Sequence, residues 1–173
     1  MSKPTLYLMI GYPGAGKTTT TKILHGLTGA TVLSSDDIRR KLFAMPTFTE
    51  HEHQQLYRHI DRELEALMKE QKNIIYDANL NRYRHRQDKY RQAEHHGYDV
   101  KLIWAKTPEQ LAKSRRIHDA SHYDLVPAHE NPASMFERIV RTFEQPHPSE
   151  PYVEIDGTSI TREIVKQLMA EQS

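Results

Sequence analysis

Eight consecutive residues constrain this chain more than any other feature of it: Gly11-Tyr12-Pro13-Gly14-Ala15-Gly16-Lys17-Thr18 satisfies G-x-x-x-x-G-K-S/T at every fixed position. A short apolar run, Thr5–Ile10, precedes it and a helical pattern at residues 19–27 follows, so the loop lies between a strand and a helix. Glycines let such a loop curl its backbone N–H groups inward around phosphate oxygens, and the following helix adds the positive end of its dipole. A chance glycine-rich turn would not also bring the right flanking elements. Lys17 is expected to reach the β- and γ-phosphates of a nucleotide and Thr18 to hold Mg²⁺, within a contact set of Gly11, Pro13, Gly14, Ala15, Gly16, Lys17, Thr18 and Thr19. No N-K-x-D or T-K-x-D guanine-reading tetrapeptide follows, which favours ATP over GTP.

Beyond that loop, apolar runs keep alternating with helical patterns. Strands are expected at residues 31–33, 73–76, 100–104 and 152–155. Helices are expected at residues 36–43, 50–71, 83–96, 135–143 and 160–169, with another opened by Pro108 through Leu111. Pro46 should end the helix at 36–43, and the spacing Leu56, Ile60, Leu64, Leu67, Met68 marks one buried stripe on the long helix after it. Repeated strand–helix alternation predicts an α/β fold in three layers, a central parallel sheet with helices on both faces. Residues 119–132, with two prolines and few aliphatics, break the rhythm and form the candidate mobile loop.

Length and composition bound the rest. A chain of 173 residues suits one domain, and 37% hydrophobic residues gathered into runs argue for a folded globule. A formal charge of +1 lacks the overall basicity of a nucleic-acid binder, though a local basic groove stays open. The absence of cysteine removes disulfides, thiolate zinc sites and a cysteine nucleophile. With no secretory pattern at the start and no long apolar stretch, the expectation is a soluble cytoplasmic protein that does not enter a membrane.

Phosphoryl transfer to an alcohol also needs a base for the hydroxyl proton and positive charge around the transferring group. Ser34-Ser35-Asp36-Asp37-Ile38-Arg39-Arg40 follows the second strand, at the edge where open α/β sheets place ligands. Asp36 and Arg39, three apart, share a helix face, carboxylate toward a hydroxyl and guanidinium toward an anionic acceptor group. An Asp N-cap followed by solvated arginines is the alternative. Asp77 ends the third strand, near where a carboxylate would meet Mg²⁺. Tyr83-Arg84-His85-Arg86 and Lys89-Tyr90-Arg91 interleave basic and aromatic residues, as a nucleic-acid groove or a solvated helix face would. His118 and His122 have the i, i+4 spacing of a zinc pair, but His51-Glu52-His53 is not H-E-x-x-H and no third ligand is evident.

The chain resembles the polynucleotide-kinase-like and zeta-toxin-like P-loop kinases. G-x-P-G-A-G-K-T, S-S-D-D-I-R, I-I-Y-D-A-N-L-N and F-E-Q-P-x-x-x-E-P carry the likeness, in order along nearly the whole chain. The resemblance implies that Asp36 is the general base, Arg39 the acceptor-holding arginine and Asp77 a residue near the metal or steadying that arginine. It also implies a lid, here around residues 113–132, whose first arginine is Arg115. Where the family commonly has a second lid arginine this chain has Asp119, so Arg116 or a histidine is expected to substitute. The resulting expectation is a phosphotransferase using ATP and Mg²⁺, its favoured acceptor the 5'-hydroxyl end of DNA or RNA. A small-molecule kinase is the alternative, and a nucleotide-dependent switch ATPase the alternative of another class.

Overall fold

A computed structural model of the chain describes residues 3–170. Its strands, β1 (Thr5–Ile10), β2 (Thr31–Ser34), β3 (Ile74–Asp77), β4 (Asp99–Lys106) and β5 (Tyr152–Asp156), form one five-stranded sheet in the order β2-β3-β1-β4-β5. Every pairing is parallel. Successive strand residues point to opposite faces: Leu6, Leu8 and Ile10 join Tyr76, Leu102 and Trp104 on one side, while Tyr7 and Met9 join Ile75, Ile103 and Val153 on the other. Both faces are therefore apolar and must be covered.

The helix α3 (Glu50–Lys69) lays fully buried Leu56, Ile60, Leu64 and Met68 on the first face, each worth about 2 kcal/mol of transfer free energy. Leu67 lies at the margin of that stripe and is only partly buried. The helix α4 (Tyr83–His95) shares this face through Ala93, and α1 (Lys17–Thr28) and α7 (Arg162–Ala170) cover the opposite one through Leu24 and Val165. The three expected layers are thus present. Three more helices, α2 (Ser35–Leu42), α5 (Glu109–His118) and α6 (Pro132–Thr142), frame the C-terminal edge of the sheet. None of the described helices is long and apolar enough to cross a membrane.

Several boundaries differ from expectation for identifiable reasons. Helix α1 begins at Lys17 because Gly16, at φ 105°, turns the chain into it. Helix α2 stops at Leu42, with Phe43 already extended, so it ends ahead of Pro46. Residues 119–132 are not a bare loop: Ala120–Leu125 winds as a 3-10 turn that buries Leu125. Since α5 ends at His118, His118 and His122 do not share a helix and their spacing loses its zinc-pair meaning.

The basic-aromatic stretch on α4 is neither a groove nor a solvated face at its centre. Arg86 is fully buried; its Nε and Nη2 donate to the two carboxylate oxygens of Glu150 at 2.8 and 2.9 Å. The remaining donors reach the carbonyls of Leu80 and Glu144 through Nη1 and of Gln145 through Nη2. Glu150, the second glutamate of the F-E-Q-P-x-x-x-E-P stretch, also accepts from the Tyr90 hydroxyl and the His147 N–H, both at 2.7 Å. Burial pushes its carboxyl up, but the bonds from Arg86, His147 and Tyr90 outweigh this and hold it below its ordinary value of 4.5.

Removing one partner of such a pair leaves an uncompensated buried charge. Glu150→Gln should therefore lose about 3–5 kcal/mol of unfolding free energy in urea denaturation at neutral pH. A carboxyl depressed by folding stabilises fully above its unfolded value and loses that contribution as pH falls through its folded value. The gap between wild type and Glu150→Gln should accordingly narrow below about pH 4.5, and a gap unchanged by acid would contradict the assignment.

Candidate active site

Strand order reverses on either side of β1, because the chain moves toward β3 and β2 on one flank and toward β4 and β5 on the other. Open α/β sheets leave a crevice at the carboxyl end of such a point. Here the loop at residues 11–16 leaves β1. Gly14 has φ 80°, and a Cβ on it would meet the Ala112 carbonyl at 2.3 Å; Gly11 has φ 144° and is backed by the Ala105 carbonyl. Only glycine fits either position. The loop is pinned beneath by the Thr107 hydroxyl, which donates to the Ala15 carbonyl at 2.9 Å, and laterally by the Tyr12 ring edge-on to Phe136 and Phe143.

Lys17, in the first turn of α1, donates from Nζ to the Gly11 and Tyr12 carbonyls at 2.8 and 3.0 Å. Burial lowers its pKa, opposed by the carboxylates of Asp77 and Asp36. Asp77 ends β3 in register with Ser34; burial raises its carboxyl to about 6, with Lys17 opposing and Asp36 and Asp37 adding. Thr18 and Thr19 are exposed beside them. The Ser34 side chain, not an aspartate, caps α2 by accepting from the Asp37 N–H at 3.3 Å. Asp36 is thereby relieved of a capping role and makes no hydrogen bond or ion pair among the described residues.

Arg39 does share the cleft with Asp36, but with an anchor that sequence spacing did not show. Its Nη1 pairs with Glu52 of α3, both side chains being buried. Glu52 in turn accepts from the N–H and hydroxyl of Thr47 and the N–H of Phe48. Phe48, at φ 56°, places its ring 4.6 Å from the Arg39 guanidinium carbon. The only hint in the sequence is a glutamate on the otherwise apolar stripe side of α3.

On the opposite wall, Arg115 is exposed and donates from Nη1 to the Gly157 carbonyl at 2.8 Å. Arg116 is buried, donates from Nη2 to the His122 carbonyl and has no partner for Nη1; burial lowers its pKa. Lys113 turns away to Glu137. Asp119, where a second lid arginine was expected, pairs with His122 at 2.7 Å. The 3-10 turn is latched to α2, since Arg40 donates from Nε and Nη2 to the two carboxylate oxygens of Asp124 and from Nη2 to the Ser121 carbonyl.

Two cavities meet at Lys17. The larger, about 780 Å³, is walled by the phosphate loop, Arg39, Arg115, Arg116 and His122. The smaller, about 420 Å³, runs toward the start of α4, past Asn79, Asn81, Arg82, His85 and, from α6, Arg138. Lys17, Asp36 and Asp77 line both. Sequence reasoning had nominated that shared trio, but not Tyr57, whose hydroxyl accepts the Asn79 N–H at 3.0 Å, nor His85 and Arg82 as lining residues.

A family profile described as an AAA domain matches residues 6–146. The chain belongs to the AAA domain family. No curated protein sequence matches this AAA domain significantly. Among solved structures it is similar to a Chloroflexus aurantiacus protein assigned as a kinase, with a TM-score of 0.77 at 14% identity over 99% of this chain and 100% of that one. It is similar to the APS kinase of Mycobacterium tuberculosis, solved with AMPPNP and APS, with a TM-score of 0.64 at 17% identity over the whole of both chains. A chain of the Pnkp1/Rnl/Hen1 RNA repair complex gives a TM-score of 0.63 at 17% identity, covering 91% of this chain and 54% of that chain. At these identities the likeness establishes the P-loop kinase-like fold.

The latch between α2 and the 3-10 turn is a partly exposed ion pair, worth about 0.2–1 kcal/mol. Asp124→Asn should leave the melting temperature nearly unchanged. It should speed amide hydrogen exchange at residues 120–126 by roughly two- to fivefold, as local opening becomes easier. Mass-spectrometric exchange with no local acceleration would show that the latch does not hold this segment.

Proposed function

We propose that this AAA domain is a kinase that transfers the γ-phosphate of Mg·ATP to an acceptor hydroxyl, with residues 1–173 acting as one P-loop kinase domain. The observation that carries this reading is the position of Lys17 and Asp36 where two cavities meet. A switch ATPase needs only the nucleotide cavity; a transferase needs a second one that opens on the same reacting atoms.

The residues present fit a Mg-bound nucleotide. Arg116 carries an unpartnered buried Nη1 on the cavity wall, and the Lys17 ammonium is held only by carbonyls of its own loop. Gly11, Pro13, Gly14, Ala15, Gly16, Lys17, Thr18 and Thr19 would hold the phosphates, Arg115 and Arg116 would cover them, and Thr18 and Asp77 would hold Mg²⁺. When bound, the ion would supply charge neutralisation at the phosphates. Lys17 gives up carbonyl bonds within its own loop for phosphate oxygens, so its ammonium is already placed. Asp36, free of other partners, takes the hydroxyl proton as the acceptor oxygen bonds to phosphorus and the bond to ADP breaks. Arg39, held by Glu52 through one nitrogen only, keeps its other donors for the acceptor.

The reading is tested by γ-phosphate transfer from labelled ATP across 5'-hydroxyl DNA and RNA oligomers, nucleosides, sugars, sugar nucleotides and aminoglycosides. Lys17→Ala should lower transfer by at least about 10²–10³ while the melting temperature holds. Near-normal turnover in that variant would take Lys17 away from the phosphates.

For Asp36→Asn the expected loss is about 10²–10⁴ in kcat with Mg·ATP affinity within a few-fold by calorimetry, because an amide cannot accept the proton. Loss of ATP binding instead would move Asp36 to the metal.

A further inference from the structure

The smaller cavity contains donors that nothing in the nucleotide site uses. His85 is half-buried; its Nε2 accepts from the Arg84 Nε at 3.4 Å, while its Nδ1 is shut off from solvent and has no partner. Burial, with Arg84 and Arg82 nearby, lowers the imidazole pKa, so the ring is neutral near pH 7. A neutral imidazole whose Nε2 accepts carries its proton on Nδ1. That leaves a buried N–H donor with nothing to receive it, a state folded proteins seldom keep without a ligand or water.

Arg82 stands one turn earlier on the same wall, exposed and without an ion pair among the described residues. The charges around it are otherwise committed. Arg138 is paired bidentately with Glu130 at 2.7 and 2.9 Å, and Glu144 accepts the Tyr83 N–H at 2.7 Å. Asp36 and Asp77 lie at the other end, at the junction with the larger cavity. The cavity is therefore polar in a definite sense, with carboxylates at the junction and unspent donors toward α4. Its volume of about 420 Å³ lies within the range of small-molecule sites.

We infer that this cavity is the acceptor site and takes a small hydroxylated molecule carrying an oxyanion, which Arg82 and His85 bind while the hydroxyl is presented to Asp36. The inference rests on the kinase reading for the hydroxyl and on the cavity alone for the oxyanion. Guanidinium and imidazole N–H groups make short charge-assisted bonds to phosphate, sulfate or carboxylate oxygens. Arg82 and His85 are thus specificity residues for the oxyanion.

The site is tested first without turnover. Inorganic sulfate is titrated into protein saturated with ADP, which occupies the phosphate loop, and the His85 imidazole is followed by nitrogen-15 NMR. Wild type should give a saturable shift, weakened at least tenfold in Arg82→Ala and partly restored in Arg82→Lys; no saturable shift, or one that survives Arg82→Ala, overturns the site. Transfer assays then compare matched acceptors: a neutral sugar, its sugar acid and its phosphate ester, with a nucleoside and a 5'-hydroxyl oligonucleotide alongside. Wild type should favour the acid or the ester, the better of the two identifying the oxyanion, and Arg82→Ala should raise that acceptor's KM tenfold or more with ATP KM unchanged. Equal use of neutral and anionic acceptors, or an oligonucleotide preferred and insensitive to Arg82→Ala, overturns the acceptor assignment. Sulfate binding that depends on Arg82 in a protein that transfers phosphate to no hydroxyl would support the oxyanion site while sinking the kinase reading.

Discussion

A guanidinium shut off from water fixes the geometry on which the rest depends. Arg86 holds the Leu80 carbonyl after β3, the Glu144 and Gln145 carbonyls after α6, and the Glu150 carboxylate before β5. The loop after β3 and the loop between α6 and β5 are thereby joined at one point. Such a pair contributes little net stability over an apolar replacement, but it accepts only one arrangement of its partners. The wall formed by residues 79–85, and hence the shape of the smaller cavity, follows from that arrangement.

Within the cleft, charge rather than packing decides what each group can do. Lys17 lies close to two carboxylates yet bonds only carbonyls, so its ammonium is stabilised without being neutralised by a direct ion pair. Arg39 is held in place by Glu52, and Arg116 is half satisfied by a carbonyl. Three cations thus face one space, each fixed by neighbours that leave some donors unused. Preorganisation of this kind suits the binding of concentrated negative charge.

Most of the fold was legible because its signals are local. Alternating apolar runs gave the strands, the 3.6-residue stripe gave α3, and the glycine-lysine loop gave the phosphate site; Lys17, Asp36, Arg39 and Asp77 do converge on one edge. What could not be read depends on contacts between distant segments. Glu52 shows in the sequence only as a glutamate in line with the apolar stripe of α3, and its partner Arg39 appears when α3 is laid against α2. Arg86 sits in a run of exposed bases and is distinguished only by the arrival of Glu150, 64 residues later. The segment at residues 119–132 looked loose because it is poor in aliphatics, whereas Leu125 and Pro127 are buried and ion pairs tie it to its neighbours. His85 and Arg82 carry no spacing signature at all.

The bond from Arg40 to the segment after α5 links two things usually treated apart. Arg40 stands four residues from Asp36 on the same short helix, so the segment over the larger cavity is fastened to the element that carries Asp36. Displacing that segment removes one of the helix's contacts, while the Arg39–Glu52 pair still holds it to α3. Because the fastening is a partly exposed ion pair, its strength falls with ionic strength, over a screening length of about 8 Å in physiological salt. Added salt therefore weakens one of the contacts that join the wall of the larger cavity to the helix bearing Asp36.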